Sequence, residues 1–521
     1  MSKLNMEGTL NDKTKRVNKK LELQELAEVL DQYRANSKKI VHCHGVFDLL
    51  HVGHLRHFKA AKKMADILVV TITPDRYVNK GPHRPAFPEA LRAEVIAALD
   101  VVDFVAINHW PNAIETIKLL KPHFYAKGSD YKDASQDHTG GILLEEEAIN
   151  SVGGQMVYTE EIMFSASKLI NRHLPLFSEE VNTYLSNFSS RFNSNQILSY
   201  LNNALNLKVL VVGEAIIDEY QYCEAIGKSS KEPMLAVKHV STECFAGGIL
   251  AVANNIASFS NRVNLITFLG DKNTHERFIK KKLHPHVKPN FLHRKNSPTI
   301  VKRRFIESYF FTKLMEVYEI NDGVLNPSDN KQLCDTLEKE LPKYDLVIVM
   351  DFGHGMFSKD AIDLLCRKSK FLAVNAQSNA GNVGYQSLAK YPRADYVCLT
   401  ENEIRMETRD RRGDFEGMVL DLFNKLDYKR IMVTQGSRGC IYFTKSEGFV
   451  QAPAFASKVI DRMGAGDAFL SVTALCVAQE APREVVCFIG NAVGAQAVAT
   501  VGHRSSIERA PLYKHIESLL K

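Results

Sequence analysis

Apolar and polar positions recur with two different periods along the first quarter of the chain. In "LELQELAEVLDQYRAN" the leucines return at helical spacing, which predicts a short amphipathic helix. "KKIVHCHGVF" then reads as a strand, "HLRHFKAAKKMA" as a helix and "DILVVTIT" as a fully buried strand. "PEALRAEVIAALDVV" and "NAIETIKLLK" are helical, while "DFVAI" and "PHFYAKG" are strands. This β-α-β-α-β-α-β alternation predicts a parallel sheet with helices on both faces.

The pattern changes from about Pro175 to Leu205. "PLFSEEVNTYLSNFSSRFNSNQILSYLNNAL" is rich in Ser and Asn with weak helical periodicity, and predicts a partly helical linker. "LKVLVVGEAIIDEY" restarts with a strand and a glycine turn. "EPMLAVKHVS" and "TIVKRRFIE" alternate like strands with one exposed face. "DLVIVMDFG", "FLAVNAQ", "ADYVCLTENE" and "RIMVTQGSRG" are apolar runs ending in polar turns, the mark of buried parallel strands. In open α/β sheets ligands bind beyond the carboxyl ends of such strands. The division expected is a leader with a short helix (1–37), one α/β domain (38–173), a linker (174–206) and a second α/β domain (207–521).

Composition narrows the function classes. The chain has 521 residues and a hydrophobic fraction of 45%, enough for sizeable cores. A net charge of +6 from 66 basic and 60 acidic residues is too small and dispersed for a nucleic-acid footprint. No run approaches the ~18 apolar residues of a membrane span. The polar N-terminus has no secretory apolar region and predicts a disordered leader. Nine scattered cysteines without a CxxC pair read as reduced thiols of a cytoplasmic protein.

Two stretches carry candidate chemistry. "HCHGVFDLLHVGHLRHF" holds five histidines, His42, His44, His51, His54 and His57. A helical pair such as His51 and His54 can ligate a metal, and solvated or core histidines are the plain alternative. A phosphate site fits better. A strand ends in "GVFD" and "HVGH" opens a helix, whose free N–H groups attract anions. Gly53 permits close approach to the backbone, and imidazoles there can donate to phosphate oxygens in the transition state. The second stretch is "VIDRMGAGDAF". Gly464 and Gly466 let backbone N–H groups turn inward as an anion hole, and Asp467 can accept the proton of a hydroxyl.

"GVFDLLHVGH" resembles the GxFDxxHxGH signature of the cytidylyltransferase-like nucleotidyltransferases. With "NKGPHRPAFPEALRAEVIAALDVVDFV" and "LKPHFYAKGSDY", the similarity extends to the adenylyltransferase part of the bacterial bifunctional heptose kinase/adenylyltransferases. The resemblance implies that His51 and His54 stabilise the pentacoordinate phosphorus. It also implies that Phe47, Asp48, Gly53, Lys80, Arg84, Ser165 and Ser167 meet the nucleotide or its phosphates, and that Asp130 orders the sugar-phosphate end. Ser165 and Ser167 can equally cap a helix. Ser129 departs from the family's KGGDY. Arg92 is open between a phosphate contact and a surface ion pair. His44 is open toward base or sugar, and His57 is expected on the helix surface.

The "GAGD" turn resembles the DTxGAGD signature of the ribokinase/PfkB carbohydrate kinases, over residues from about 207 to 521. This implies sugar contacts at Asp218, Gly247 and Gly248. It implies nucleotide contacts at Asn402, Thr434, Gly436 and Gly439, an anion hole at Gly464, Ala465 and Gly466, and Asp467 as base. It also implies Mg²⁺ with ATP or another nucleoside triphosphate, and a small β lid over the sugar through which two chains pair. The fold class expected is α/β with two doubly wound domains, an HxGH Rossmann-like domain followed by a ribokinase-like domain. The order is the reverse of that in the heptose family. Ala251, Arg405, Asn375 and Gln377 stand where the family has Asn, Glu, Asp and Lys, and "DFGHG" with Asp351 only loosely matches its turn.

The leading expectation is a bifunctional sugar kinase and sugar-1-phosphate nucleotidyltransferase acting on small phosphorylated sugars. Two others stay open: a degenerate, sugar-sensing kinase domain regulating the transferase, and a cytidylyltransferase acting on another phosphorylated polyol.

Overall fold

The structure is a computed structural model and describes residues 19–78, 84–128, 141–159, 177–456 and 458–521. Backbone contacts divide the chain into two units, Met1–Leu174 and Pro175–Leu520. Among the described residues no helix is long and apolar enough to cross a membrane.

The first unit has strands β1 (Ile40–Gly45), β2 (Ile67–Ile72), β3 (Phe104–Ile107), β4 (Phe124–Gly128) and β5 (Gln155–Thr159), and helices α1 (Leu23–Ala35), α2 (Val52–Lys62), α3 (Glu89–Ala97), α4 (Ile114–Leu120) and α5 (Gly141–Ser151). All five strands pair in parallel, in the order β3-β2-β1-β4-β5. Strand order reverses beside β1, so the turn after β1 opens at the switch point where α/β sheets bind ligands. Val41, Cys43, Leu68 and Val70 pack with Phe58 of α2 and Ala93 and Ile96 of α3 on one face. Tyr125 packs with Ile117 of α4 and Ile142 and Ile149 of α5.

The second unit is built on a nine-stranded sheet. Its order is 287–298, 262–272, 208–213, 346–351, 372–376, 396–400, 430–434, 440–444 and 448–452. The first seven run parallel; the hairpin 440–444/448–452 closes the edge antiparallel. One large core lies against helices Ile249–Ala257, Ala465–Val477, Arg483–Val498 and Arg509–Leu519. A second lies against Pro327–Glu340, Lys359–Lys368 and Phe415–Lys425. A separate four-stranded sheet, in the order Thr312–Glu319, Ile300–Glu307, Ala215–Lys228 and Leu235–Gly248, forms the lid.

The segment expected as a linker is corrected. Residues 179–191 and 194–203 are two helices, capped by Ser178 and by an Asn193–Gln196 capping box. Their apolar stripes, Val181, Leu185 and Phe188, then Ile197, Leu198 and Leu201, join the main core of the second unit. The Ser/Asn content that suggested a linker sits on the outer faces and at the caps.

Candidate active sites

In the first unit α2 begins at the end of the turn that follows β1. His51 is its N-cap, and its Nδ1 accepts the Gly53 N–H at 3.1 Å. Burial lowers the His51 pKa, which favours the neutral ring. With Nδ1 accepting, the proton of a neutral ring sits on Nε2. That Nε2 is buried without a hydrogen-bond partner among the described residues, so it is a donor awaiting an acceptor. The His54 ring stacks on His51 with centroids 3.9 Å apart. Phe47, at a φ of +49°, turns its ring edge-on to His54 at 5.3 Å and to Phe58 at 5.0 Å. It buttresses the histidine from behind.

Asp48 is buried and accepts the N–H groups of Ala86 and Phe87 at 2.6 and 3.2 Å, with Arg84 at 3.4 Å. It fixes the segment that carries Arg84. Arg92 is neither a surface ion pair nor an exposed phosphate contact. It is 2% exposed and donates to the carbonyls of Phe87 and Thr73 at 2.9 Å each, to that of Val46, and to Asp75 at 2.6 Å. Lys80, Asp130, Ser165 and Ser167 lie outside the described residues.

Of the other three histidines, His42 and His57 are buried and His44 is half-buried. His57, expected on the helix surface, is 7% exposed and bonds Thr159 Oγ1 at 2.8 Å. His42 and His44 share Thr71 Oγ1 at 2.7 and 2.8 Å, and His44 also meets Thr73. Burial, then the Lys127 charge, pushes His42 down to about 3 and His57 to about 4. These rings stay neutral and structural. Among the described residues no group of three or more His, Cys, Asp or Glu is placed to hold a metal, and all nine cysteines are free.

In the second unit the "GAGD" turn and the lid strands come together. Gly464 takes a φ of +76° as the N-cap of helix 465–477, and Asp467 lies buried in its first turn. Burial raises Asp467 to about 6; Asp218 and Glu403 push the same way, while His503 and Lys302 oppose them. Asp218, on the lid strand 215–228, is paired with Arg304 and lies 3.5 Å from His503 Nε2. Arg304 also meets Glu316 at 2.6 Å. A Cβ at Gly247 would strike the Asp218 carboxylate, and one at Gly248 would strike the Glu214 carbonyl. The glycines are therefore required by close approach.

Asp461, just before the turn, accepts Tyr220 Oη at 2.7 Å, Lys313 Nζ at 2.6 Å and the Gly502 N–H at 2.9 Å. A single buried carboxylate thus ties the lid to the GAGD turn. Sequence reasoning missed Lys302, Arg304, Asp461 and His503. Lys302 and Arg304 carried a signal, being two cations at strand period in "TIVKRRFIE"; His503 carried none.

Beyond the ends of strands 396–400 and 430–434, Glu401 accepts Gln435 Nε2 at 2.8 Å and Arg405 Nη2 at 2.8 Å, and pairs with Arg438. It connects the start of helix 401–408, which carries the exposed Asn402, to the turn containing Gly436 (φ +60°) and Gly439 (φ +93°). Thr434 precedes that turn and donates to the Leu399 carbonyl at 3.4 Å. Arg405 is held by Glu401 and is not a free cation. The Asn375 amide donates to the Cys398 carbonyl at 2.6 Å. Ala251 is buried in helix 249–257. Asp351 is held by Tyr391 at 2.6 Å and Lys390 at 2.5 Å.

The cytidylyltransferase-like family model matches residues 42–172, and the pfkB family carbohydrate kinase model matches 206–510. "Bifunctional protein HldE" of Geobacter metallireducens is 35% identical over 164 residues, 30% of this chain and 31% of that one. The HldE protein of Rhodopseudomonas palustris is 26% identical over 319 residues, 59% and 63% of the two chains. The first-named match thus spans about a third of its relative's length. The crystal structure of phosphofructokinase-2 from Escherichia coli in complex with fructose-6-phosphate shares the fold of the second unit, at 16% identity and a TM-score of 0.50 over 60% of this chain and 100% of that one. With the kinase model covering more than half of the sequence, and the GAGD turn set against the lid, the chain belongs to the pfkB family of carbohydrate kinases and carries a cytidylyltransferase-like domain ahead of its kinase domain.

Proposed function

We propose that the chain performs two consecutive steps of nucleotide-sugar synthesis. In the kinase domain, the anomeric oxygen of a sugar of the heptose 7-phosphate type attacks the γ-phosphorus of ATP. The new O–P bond forms as the bond to the β-phosphate oxygen breaks, ADP leaves, and Asp467 takes the hydroxyl proton. Asp218 and the backbone at Gly247 and Gly248 hold the sugar. The N–H groups at Gly464, Ala465 and Gly466 face the transferring group, where the helix start favours negative charge. Asn402, Thr434, Gly436 and Gly439 border the nucleotide.

In the transferase domain, an oxygen of the sugar 1-phosphate attacks the α-phosphorus of ATP, or of CTP. The bond to the β-phosphate oxygen breaks and pyrophosphate leaves. The unfilled Nε2 donor of His51 is the observation that carries this half. With His54 it meets the charge that grows on the phosphorus oxygens. Phe47 and Asp48 position these groups; Gly53, Lys80, Arg84, Ser165 and Ser167 surround the phosphates, and Asp130 the sugar end.

Mg²⁺ fits as a passenger of the nucleotide, because it takes most of its ligands from phosphates and water with one or two carboxylates. Asp467 and Glu403 are the acids at hand in the kinase site. When bound, the ion offsets phosphate charge. Two chains pairing through the lid is part of the proposal: Met315 and Val317 are exposed, 57% and 38%, on lid strand 312–319.

A second reading, a sugar-sensing kinase domain without turnover, draws on Asn375, whose amide N–H is taken by the Cys398 carbonyl, and on Arg405, which is held by Glu401. Mass spectrometry of products from a sugar-phosphate panel, with ATP and CTP offered together, separates the readings. Sugar 1-phosphate and NDP-sugar support two activities. NDP-sugar formed only when sugar 1-phosphate is supplied supports the sensor, and no product from any sugar overturns both.

A further inference from the structure

Three consecutive cations, Lys302, Arg303 and Arg304, stand on the lid strand Ile300–Glu307. Two of them are matched by carboxylates: Arg303 pairs with Glu219, and Arg304 with Asp218 and Glu316. Lys302 is different. It is 5% exposed, yet it makes no hydrogen bond or ion pair with any described residue. Its ammonium lies 5.1 Å from the centre of the Tyr318 ring and 5.8 Å from that of Phe352. The ring faces attract a cation, but they do not offset its charge or take up its three N–H donors as an anion would. Lysine is rarely so buried without a partner.

The place of this ammonium is set by the fold. In register across the lid sheet, Lys302 stands between Asp218 and Tyr318, so the three side chains share one face. Phe352 directly follows strand 346–351, so the ammonium lies between the lid and the carboxyl end of that strand. Strand 430–434, which leads into the turn at 435–439, is three strands further along the sheet. At about 4.8 Å per strand, that is roughly 14 Å away.

We propose that Lys302 is a specificity-determining residue of the kinase site, whose ammonium takes the phosphate that the sugar already carries at the end remote from its reacting hydroxyl. The inference rests on the kinase reading above, in which Asp218 marks the sugar side of the cleft and the turn at 435–439 the nucleotide side. A sugar hydroxyl would satisfy one N–H and leave the charge in place. A phosphate offsets the charge and accepts more than one of the three hydrogen bonds.

The test uses the full-length protein and K302M, which keeps the length of the side chain and drops its charge. Kinase turnover is compared on a heptose 7-phosphate and on the matching free heptose. K302M is expected to lower kcat/KM for the phosphorylated sugar roughly tenfold or more, chiefly through KM. The free heptose and the KM for ATP should be unaffected. A raised ATP KM overturns the proposal and assigns Lys302 to the transferring phosphoryl group. An equal loss on both sugars, with a lower urea midpoint, overturns it and makes Lys302 a structural residue. A second measurement needs no turnover. By calorimetry without nucleotide, the wild type should bind heptose 7-phosphate more tightly than free heptose, and K302M should lose most of that difference. Equal binding of the two sugars by the wild type, or a difference that K302M keeps in full, overturns the proposal. This comparison decides the role of Lys302 even where the wild type turns over neither sugar and the kinase reading fails.

Discussion

The Asp48 carboxylate and the Arg84 guanidinium meet at 3.4 Å with side chains only 2% and 4% exposed, while the same carboxylate takes two backbone N–H groups from Ala86 and Phe87. Asp48 thus fixes the chain that delivers Arg84 to the proposed phosphate site. Removing one member of such a buried pair typically costs about 3–5 kcal/mol. Asp48→Ala is expected to raise the transferase KM for nucleotide by roughly tenfold or more while sparing the kinase. Steady-state assays of both activities in one preparation measure this; an unchanged nucleotide KM contradicts the role.

Arg92 is a clamp. Its guanidinium joins the turn after β1, through Val46, to the end of β2, through Thr73, and to the segment before α3, through Phe87. Lysine cannot span these acceptors. Arg92→Lys should destabilise the first unit by about 2–4 kcal/mol, read as a lower urea midpoint. A direct phosphate contact would instead leave the midpoint intact and raise the nucleotide KM.

Asp467 links activity to pH with a definite sign. Its folded pKa of about 6 lies above the ordinary carboxylate range because the group is buried. The folded state therefore binds the extra proton, and this contribution to stability is full below about pH 4 and lost as pH rises through about 6. Asp467→Asn should abolish the kinase, spare the transferase, and stabilise the kinase unit at pH 7 by up to roughly 3 kcal/mol. The gain should vanish near pH 4. Equal stability of the two proteins across this range would remove the burial argument.

Glu401 and Arg405 separate two readings of one helix. Glu401 holds Gln435 and Arg438 of the turn at 435–439, whereas Arg405 holds one side of Glu401, local carbonyls and the Met418 sulfur, and lies over the Phe415 ring. Glu401→Ala is expected to raise the kinase KM for ATP about five- to tenfold with the sugar KM unchanged. Arg405→Ala should change it less than about threefold. The reverse ranking would assign the phosphate contact to Arg405.

If two chains pair through the lid, a charge on its exposed apolar positions should separate them. Met315→Glu is expected to halve the mass measured by light scattering without changing the transferase rate. A wild-type protein that is already monomeric at assay concentration contradicts the pairing.

Both units could be read ahead of the structure because period and turn chemistry are local. The leucines of α1, the buried run of β2 and the four runs ending at Asp351, Ala376, Thr400 and Thr434 each announce an element within a dozen residues. The HVGH helix start and the GAGD turn were legible for the same reason: an N-cap and an anion hole are built from neighbours in the chain. The helical content of 179–203 was legible, but its place in the core was not, because Ser and Asn at helix caps and on outer faces give the same composition as a linker.

The sequence by itself determined the class of chemistry, since that depends on residue types held at short spacing. Tertiary structure alone decided which charges surround it. Arg92 became a clamp and His57 a core residue because β-strands from elsewhere closed over them, removing the water that an isolated helix would offer. Arg304 and His503 reached Asp218, and Tyr220, Lys313 and Gly502 reached Asp461, only when the lid and the last loop folded onto the sheet. Burial and the sum of nearby charges set the protonation of Asp467, and both are properties of packing between distant segments, which no local pattern encodes.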